Sequence, residues 1–159
     1  MPNNPPRSGG DKGSTDTINS FKKSSSNQKS FVHDEVLRIA EDLGKSLSQS
    51  GSTKGGVETT RTQVRKFYNL IKVAQVRASS SEPSVEQQLK VKLRILQAQV
   101  TYAVGRETIN KDFKDLFDHS IDLILNNDVK KLLTEFATFF EALYAYFYYY
   151  SKKDREPSR

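Results

Sequence analysis

The residues of this chain best suited to chemistry are cationic side chains between Thr60 and Arg106, since clustered cations can bind a polyanion. This stretch contains nine Lys or Arg residues and two acidic residues, whereas the rest of the chain is close to neutral and the whole has a formal net charge of +6. Eight of these cations are candidate nucleic-acid ligands: Arg61, Arg65, Lys66, Lys72, Lys90, Lys92, Arg94 and Arg106.

The sequence TRTQVRKFYNLI, which begins at Thr60, predicts the first helix that carries these cations. Thr60 can cap an open amide, and Gln63 can bond back to it in a capping box. At helical spacing, Arg61, Arg65 and Lys72 fall along one face, away from the apolar positions. Cations on that face could follow a sugar-phosphate strand, although an ordinary solvated face would show the same pattern.

A second cation-bearing helix is predicted to begin at Ser81, as its cap, with a proline in its first turn. Lys90 and Arg94 belong to a polar stripe on this helix, and Lys92 and Arg106 lie on a different side. The short connection implies that the two helices are antiparallel neighbours. We therefore expect that their polar stripes could merge into one basic groove.

Apolar residues recur at helical spacing from Phe31 onward, and no segment alternates with the period of a strand. The predicted fold is all-α, a compact bundle of about five helices over residues 31–152. Residues 1–30 are predicted to be a disordered tail, because only Ile18 and Phe21 could bury much surface. A mobile linker is predicted at 50–56, and residues 153–159 form a polar end.

Composition excludes several classes of protein and site. The chain has no Cys, which rules out disulfides, thiolate metal sites and a cysteine nucleophile, and which fits a reducing cytoplasm. No signal peptide or membrane span is expected, because no apolar run is long enough. The phosphate-binding and dinucleotide-binding glycine motifs are missing, so no cofactor is predicted.

One cluster has residue types compatible with catalysis. Asp115, His119 and Asp122 share a face of a predicted helix, at spacings of four and three. A divalent metal there would make a small nuclease conceivable, but ligands from a single helix form a poor cage. We therefore favour a solvated face and predict a protein that is not an enzyme.

The carboxyl-terminal segment FFEALYAYFYYYSKK places tyrosines on almost every side of one helix end. Packing in the bundle together with contact to a neighbouring protein would explain them. Stacking on nucleotide bases is the alternative, because aromatic faces beside cations suit single strands. A stand-alone helical adaptor that pairs with another protein through this segment is the second functional hypothesis.

Three segments, TRTQVRKFYNLI, KVKLRI with TYAVGR, and FFEALYAYF, resemble the small subunit of type III-A CRISPR effector complexes. The resemblance covers about Phe31 to Lys152. It implies a non-catalytic subunit that stacks in several copies and helps hold guide RNA and target RNA, with nuclease and cyclase chemistry in other subunits. Other subunits of the complex are therefore expected partners, and self-association is possible.

The resemblance also assigns some of the candidate residues. Arg65 and Lys66 match the basic pair of the family. The second basic segment of the family corresponds to Lys90, Lys92, Arg94 and Arg106. Arg61 and Lys72 rest on helical geometry alone. Binding through these cations would be electrostatic, tolerant of sequence and weakened by salt.

Overall fold

A computed structural model of the protein describes residues 12–49 and 56–155, with side chains at 16–49 and 56–151. These residues form helices and contain no strand, which confirms the all-α prediction. The helices number six rather than five: α1 (Lys12–Gln28), α2 (Asp34–Ser48), α3 (Arg61–Ala78), α4 (Val85–Gly105), α5 (Lys111–Leu125) and α6 (Val129–Arg155).

The longest helix, α6, is the centre of the bundle and contacts α2, α3, α4 and α5. All nine phenylalanines of the chain are buried. On α6, Phe136 and Phe140 meet Phe117 of α5 at ring-centroid distances of 5.8 and 5.5 Å. Phe67 of α3 lies 5.6 Å from the same Phe117 ring. Aromatic packing thus joins α3, α5 and α6 in one core.

The prediction of a disordered tail was wrong for residues 12–28, which form α1 and pack on α2 and α5. Ile18, Phe21 and Ser25 lie on one helical face, and all three are buried. Phe21 stacks on Phe139 of α6 at 4.9 Å. Two large apolar side chains suffice here because the bundle supplies the rest of the apolar surface that buries them.

The predicted start of α3 is confirmed, and α6 is capped in the same way. The Thr60 hydroxyl accepts a hydrogen bond from the Gln63 amide at 3.2 Å, and Asp128 accepts one from the Lys131 amide at 3.2 Å. The reciprocal half of the predicted capping box does not form, since the Thr60 amide donates to the Thr108 carbonyl oxygen instead.

The predicted cap at Ser81 was wrong. Helix α4 begins later, at Val85, and its N-cap residue is Ser84, whose side chain makes no capping hydrogen bond. The preceding residues form a turn, in which the Val85 amide donates to the Glu82 carbonyl oxygen. The proline at 83 therefore lies in this turn rather than inside the helix.

Some predicted segments lie outside the described residues. These are the first part of the predicted tail, 1–11, most of the predicted linker, 50–55, and the last four residues of the predicted polar end, 156–159. Of the helices that the structure describes, none is both long and apolar enough to cross a membrane.

Helices α2 and α6 approach most closely at Gly44. A Cβ atom at Gly44 would lie 2.8 Å from the Tyr146 Cβ and 2.9 Å from the Phe147 backbone nitrogen. Backbone cannot move aside as a flexible side chain can, so the close approach requires glycine. Gly105, at the end of α4, has open space instead: nothing would lie within 4 Å of a Cβ there.

We expect Gly44→Ala to destabilise the protein by roughly 1 kcal/mol or more, because overpacking costs about 1–3 kcal/mol and exceeds the gain of about 1 kcal/mol in helix propensity. Gly105→Ala is the matched control and should be neutral or slightly stabilising. Urea denaturation followed by circular dichroism measures both. Equal midpoints for Gly44→Ala and Gly105→Ala would contradict the close packing of α2 on α6.

Candidate nucleic-acid interface

Two hydrogen bonds fix the start of α3 against the turn between α4 and α5. The Thr60 amide donates to the Thr108 carbonyl oxygen at 3.2 Å. The buried Thr59 hydroxyl accepts from the Asn110 amide at 3.0 Å. Asn110 in turn caps α5 by accepting from the Phe113 amide. The first turn of α3 is thereby held next to the end of α4, where Arg106 lies.

The α3 cations Arg61, Arg65 and Lys72 lie on the side of the helix that turns toward α6. The Arg61 guanidinium carbon is 5.1 Å from the centre of the Tyr148 ring on α6, a cation–π distance. The Arg61 Nε is buried without a hydrogen-bond partner among the described residues. Arg65 is exposed and Lys72 is partly buried.

The α4 cations Lys90 and Arg94 lie on the opposite side of the α3–α4 pair. Arg94 is 3.4 Å from the Asp122 carboxylate of α5, and Lys90 is 3.8 Å from Glu86 of its own helix. The expectation that the two polar stripes merge into one basic groove was therefore wrong. Helical spacing identified each stripe, but the α3 stripe lies next to α6 and the α4 stripe lies next to α5.

Two other predicted cations lie close together between α3 and α4. Lys66 of α3 and Arg106, the residue that ends α4, line a groove of about 470 Å³. Tyr102 lies in the same groove, and its side chain is 64% exposed. None of the described residues that line this groove is acidic; the others are Gln63, Ile95, Ala98, Gln99, Ala103 and Thr108.

Tyr102 and Arg106 act as a pair within this groove, which we call the α3–α4 groove. The Arg106 guanidinium donates a hydrogen bond to the Tyr102 hydroxyl at 3.1 Å, and its central carbon lies 5.8 Å from the ring centre. Tyr102 is not among the predicted nucleic-acid ligands, because those are all Lys or Arg. Its position four residues before an arginine, which places the two side chains on one helix face, was the sequence signal that could have found it.

Lys92, the remaining predicted cation, lines a smaller apolar depression of about 200 Å³ farther along the same two helices. Its ammonium forms no ion pair with another described residue, and the same holds for Arg65, Lys66 and Lys72. Of the eight predicted cations, only Lys90 and Arg94 have an ion pair with another described residue, so the other six can bind an external anion without the loss of such a pair.

On the face formed by Asp115, His119 and Asp122, both carboxylates are exposed as predicted, whereas His119 is partly buried under α1. The Ser25 hydroxyl lies 2.8 Å from the His119 Nε2 and donates to the Phe21 carbonyl oxygen at 2.7 Å. Asp115 pairs with Lys22 of α1 at 3.6 Å. Among the described residues, no group of three or more His, Cys, Asp or Glu side chains could hold a metal ion.

The tyrosines near the end of α6 divide into packed and exposed members. Tyr144 stacks on Tyr68 of α3 at 5.0 Å. The Tyr150 hydroxyl donates to Glu41 of α2 at 2.9 Å, which raises the pKa of this phenol. Tyr148 and Tyr149 are 44% and 57% exposed. Tyr146 is 36% exposed. Packing within the bundle thus explains Tyr144 and Tyr150 and leaves three rings open to solvent.

Residues 32–153, more than three quarters of the chain, match the family Csm2 Type III-A. The chain belongs to the Csm2 family. This is the family of the small subunit of type III-A Csm complexes, which confirms the resemblance found in the sequence. The CRISPR system Cms protein Csm2 of Enterococcus italicus is 26% identical over 98 residues, 60% of this chain and 70% of that protein. No solved structure matches.

All eight predicted cations lie within the part of the chain that matches Csm2, whereas α1 lies before it. The helix that covers His119 is therefore an addition to the Csm2 region of this chain. This helix buries part of His119, and burial lowers the pKa of the imidazole. The free energy of unfolding should therefore depend on pH.

We expect the free energy of unfolding to decrease as the pH falls from about 7 to about 5.5. Burial, and then the charge of Lys22, lower the pKa of His119 below its ordinary 6.5, and Asp122 only partly opposes them. The unfolded state then binds more protons than the folded state just below pH 6.5, so stability is present above that pH and is lost below it. Urea denaturation across this range measures the change.

His119→Gln should remove much of this decrease, because the amide can still bond to Ser25 but does not titrate. His33→Ser is the matched control, since His33 caps α2 by accepting from the Glu35 amide and serine can do the same. The same pH slope in His119→Gln as in the parent protein would exclude His119 as the group responsible.

Proposed function

We propose that this chain is a non-catalytic RNA-binding subunit of a type III-A CRISPR interference complex, in which it helps hold guide RNA and target RNA through a basic face. Its partners are then single-stranded RNA and the other subunits. The observation that carries the proposal is the α3–α4 groove, which has cations on both helices, an exposed aromatic ring and no acidic residue among its described lining residues.

The groove has the chemistry of a single-strand site. Lys66 and Arg106 can each neutralise a phosphate, and the exposed face of Tyr102 can stack on a base. Gln63 and Gln99 add side-chain amides that can bond to sugar or phosphate oxygens. Base pairing between guide and target would supply the specificity, so this subunit needs only contacts that tolerate any sequence.

Arg65 extends the proposed face beyond the groove. It adjoins Lys66 on α3 and is fully available, since it is exposed and unpaired among the described residues. Arg61 and Lys72 continue along the side of α3 next to α6, where Tyr148 is exposed. An RNA strand that crosses the start of α3 would meet both groups of cations.

Lys90 and Arg94 are proposed as secondary contacts. Their ion pairs with Glu86 and Asp122 are exposed and long, so they stabilise the protein by about 1 kcal/mol at most. RNA can compete for these cations, but the neighbouring carboxylates reduce the local positive potential. Their removal should therefore weaken binding less than removal of Lys66 or Arg106.

Binding by a single subunit is expected to be weak, because few phosphates are contacted. Several copies along one RNA would raise the apparent affinity through an increased effective concentration. Self-association or stacking on other subunits would hold such copies in register. The Tyr-rich end is a less favoured docking site for an adaptor function, since Tyr144 and Tyr150 already have partners within the protein.

We expect Lys66→Ala, Arg65→Ala and Arg106→Ala each to weaken the binding of single-stranded RNA several-fold. Each lost phosphate contact should flatten the plot of log affinity against log salt by about 0.7. Fluorescence anisotropy with a labelled RNA between low and moderate salt measures both quantities. Lys131→Ala is the matched control: Lys131 is exposed on α6 and lies outside the proposed face. A variant with the same salt slope as Lys131→Ala would show that the replaced residue does not contact the RNA.

Tyr102→Ala separates stacking from charge. Loss of one stacked base should cost about 1–3 kcal/mol in binding, while the salt dependence should stay nearly unchanged because no phosphate contact is removed. Tyr149→Ala removes another exposed tyrosine away from the groove and is the control. Unchanged affinity of Tyr102→Ala in the same anisotropy titration would show that the ring does not contact the RNA.

A further inference from the structure

Aliphatic side chains are exposed along α3 and α4 next to the proposed RNA groove, and Ile95 lies at the border, where it lines both the groove and the neighbouring depression. Val73 and Val76 of α3 are 60% and 72% exposed, and Val91 and Ile95 of α4 are 49% and 52% exposed. Such large apolar side chains scattered singly would need no explanation, but these four occur on two neighbouring helices. Together with Leu70 they form what we call the aliphatic face.

The aliphatic face has the shape of a helix-binding groove. A depression of about 200 Å³ lies between the helices and is lined by Leu70, Val73 and Ile95. Leu70, Val73 and Val76 recur at every third residue, and Val91 and Ile95 are four apart, so each helix presents a ridge. Ridges of this kind pack with a third helix laid along the groove.

The chain itself has no segment that could cover this face. Its residues without described structure are 1–11, 50–55 and 156–159, and Met1 is the one large aliphatic side chain among them. The remaining residues of these segments are mostly Gly, Pro, Ser, Asn and charged residues. These segments therefore do not supply an apolar occupant.

The charges around the aliphatic face indicate what this occupant carries. Lys92 lines the depression, and Arg77, one helical turn after Val73 on α3, donates a hydrogen bond from its guanidinium to Gln88 of α4 at 2.8 Å. The described residues that line the depression include no acidic side chain. A symmetric contact with the same face of a second copy would bring Lys92 and Arg77 against identical cations, which is unfavourable.

We propose that the aliphatic face of α3 and α4 docks an amphipathic helix of another protein, with an aliphatic stripe flanked by Asp or Glu residues. The stripe fills the depression between Val73 and Ile95, and the acidic flanks pair with Lys92 and Arg77. RNA is a poorer occupant, because branched aliphatic side chains offer neither charge to phosphates nor a flat ring to bases. The docking does not depend on RNA binding.

Photo-crosslinking of the full chain in its own host tests this proposal. A photoreactive benzoylphenylalanine replaces Val76, and in the control it replaces Val32, an exposed valine before α2 that is 39% exposed. After irradiation, the tagged protein is purified and the cross-linked peptide is sequenced. We expect a peptide of another protein, with aliphatic residues at helical spacing and acidic neighbours, at position 76 but not at 32. A cross-link to RNA, to a second copy of this chain, or to a peptide without that pattern would overturn the proposal, as would no cross-link.

Charge introduction gives an independent measurement. In Val73→Glu with Val76→Glu, both side chains remain exposed, so folding should be unaffected and thermal melting should match the parent protein. Retention of the cross-linked partner in the purified material should fall at least tenfold, because the new carboxylates oppose its acidic flanks. Val32→Glu is the control and should retain the partner. Normal retention in the double variant would overturn the proposal.

Different variants test the proposal of RNA binding in the α3–α4 groove and the proposal of helix docking on the aliphatic face. Lys66→Ala with Arg106→Ala should flatten the salt dependence of RNA binding and leave the cross-link at position 76 intact. Val73→Glu with Val76→Glu should lose the partner, and the isolated variant should keep the salt slope of the parent protein. Loss of the cross-link in the Lys66 and Arg106 variant would mean that RNA brings the partner, and it would overturn direct docking.

Discussion

The packing of phenylalanine rings on α6 determines where the other helices lie. Phe136 and Phe140 contact Phe117 of α5, which in turn meets Phe67 of α3, while α1 adds Phe21 on another side. Interiors of this density respond to even small changes in volume. Because α3 is held in this cluster by its apolar face, Arg65 and Lys66 are both exposed. The cation-bearing surface of the protein is thus a consequence of how its aromatic core is filled.

The second constraint is the connection between the start of α3 and the turn that follows α4. Thr60 caps α3 with its hydroxyl and uses its amide to bond to Thr108, while Thr59 accepts from Asn110. These bonds join segments that are about fifty residues apart in the chain. They place Lys66 and Arg106 on the walls of one groove, although neither helix alone would bring its cations together. A rigid groove loses little entropy when a flexible strand binds in it.

Local features of the fold could be predicted from the sequence, and relative orientations could not. Apolar spacing identified the helices from Phe31 onward, and the hydroxyl of Thr60 marked the start of α3. The side of a helix that meets a given neighbour depends on the whole bundle, so the stripes with Arg61 and Arg94 were expected to merge but lie apart. Tyr102 was missed for the same reason, since an exposed ring becomes a candidate contact only when a neighbouring helix makes it part of a groove. Ile18, finally, was judged from the composition of its own segment, whereas its burial depends on surfaces of α2 and α5.

We expect helix α1 to open separately from the rest of the protein. Much of its sequence is serine, threonine, asparagine and glycine, which gives it little intrinsic tendency to form a helix. Its structure depends on a few buried side chains and on the Ser25 contact with His119. Such a segment can detach and dock again while the remaining helices stay folded, as a local opening reaction with its own small free energy. When it detaches, the rings of Phe31 and Phe139 lose the cover that Phe21 provides. The time that α1 stays docked, rather than the global stability of the bundle, then determines how often this apolar surface is exposed to water. It also determines how readily the free subunit aggregates before assembly.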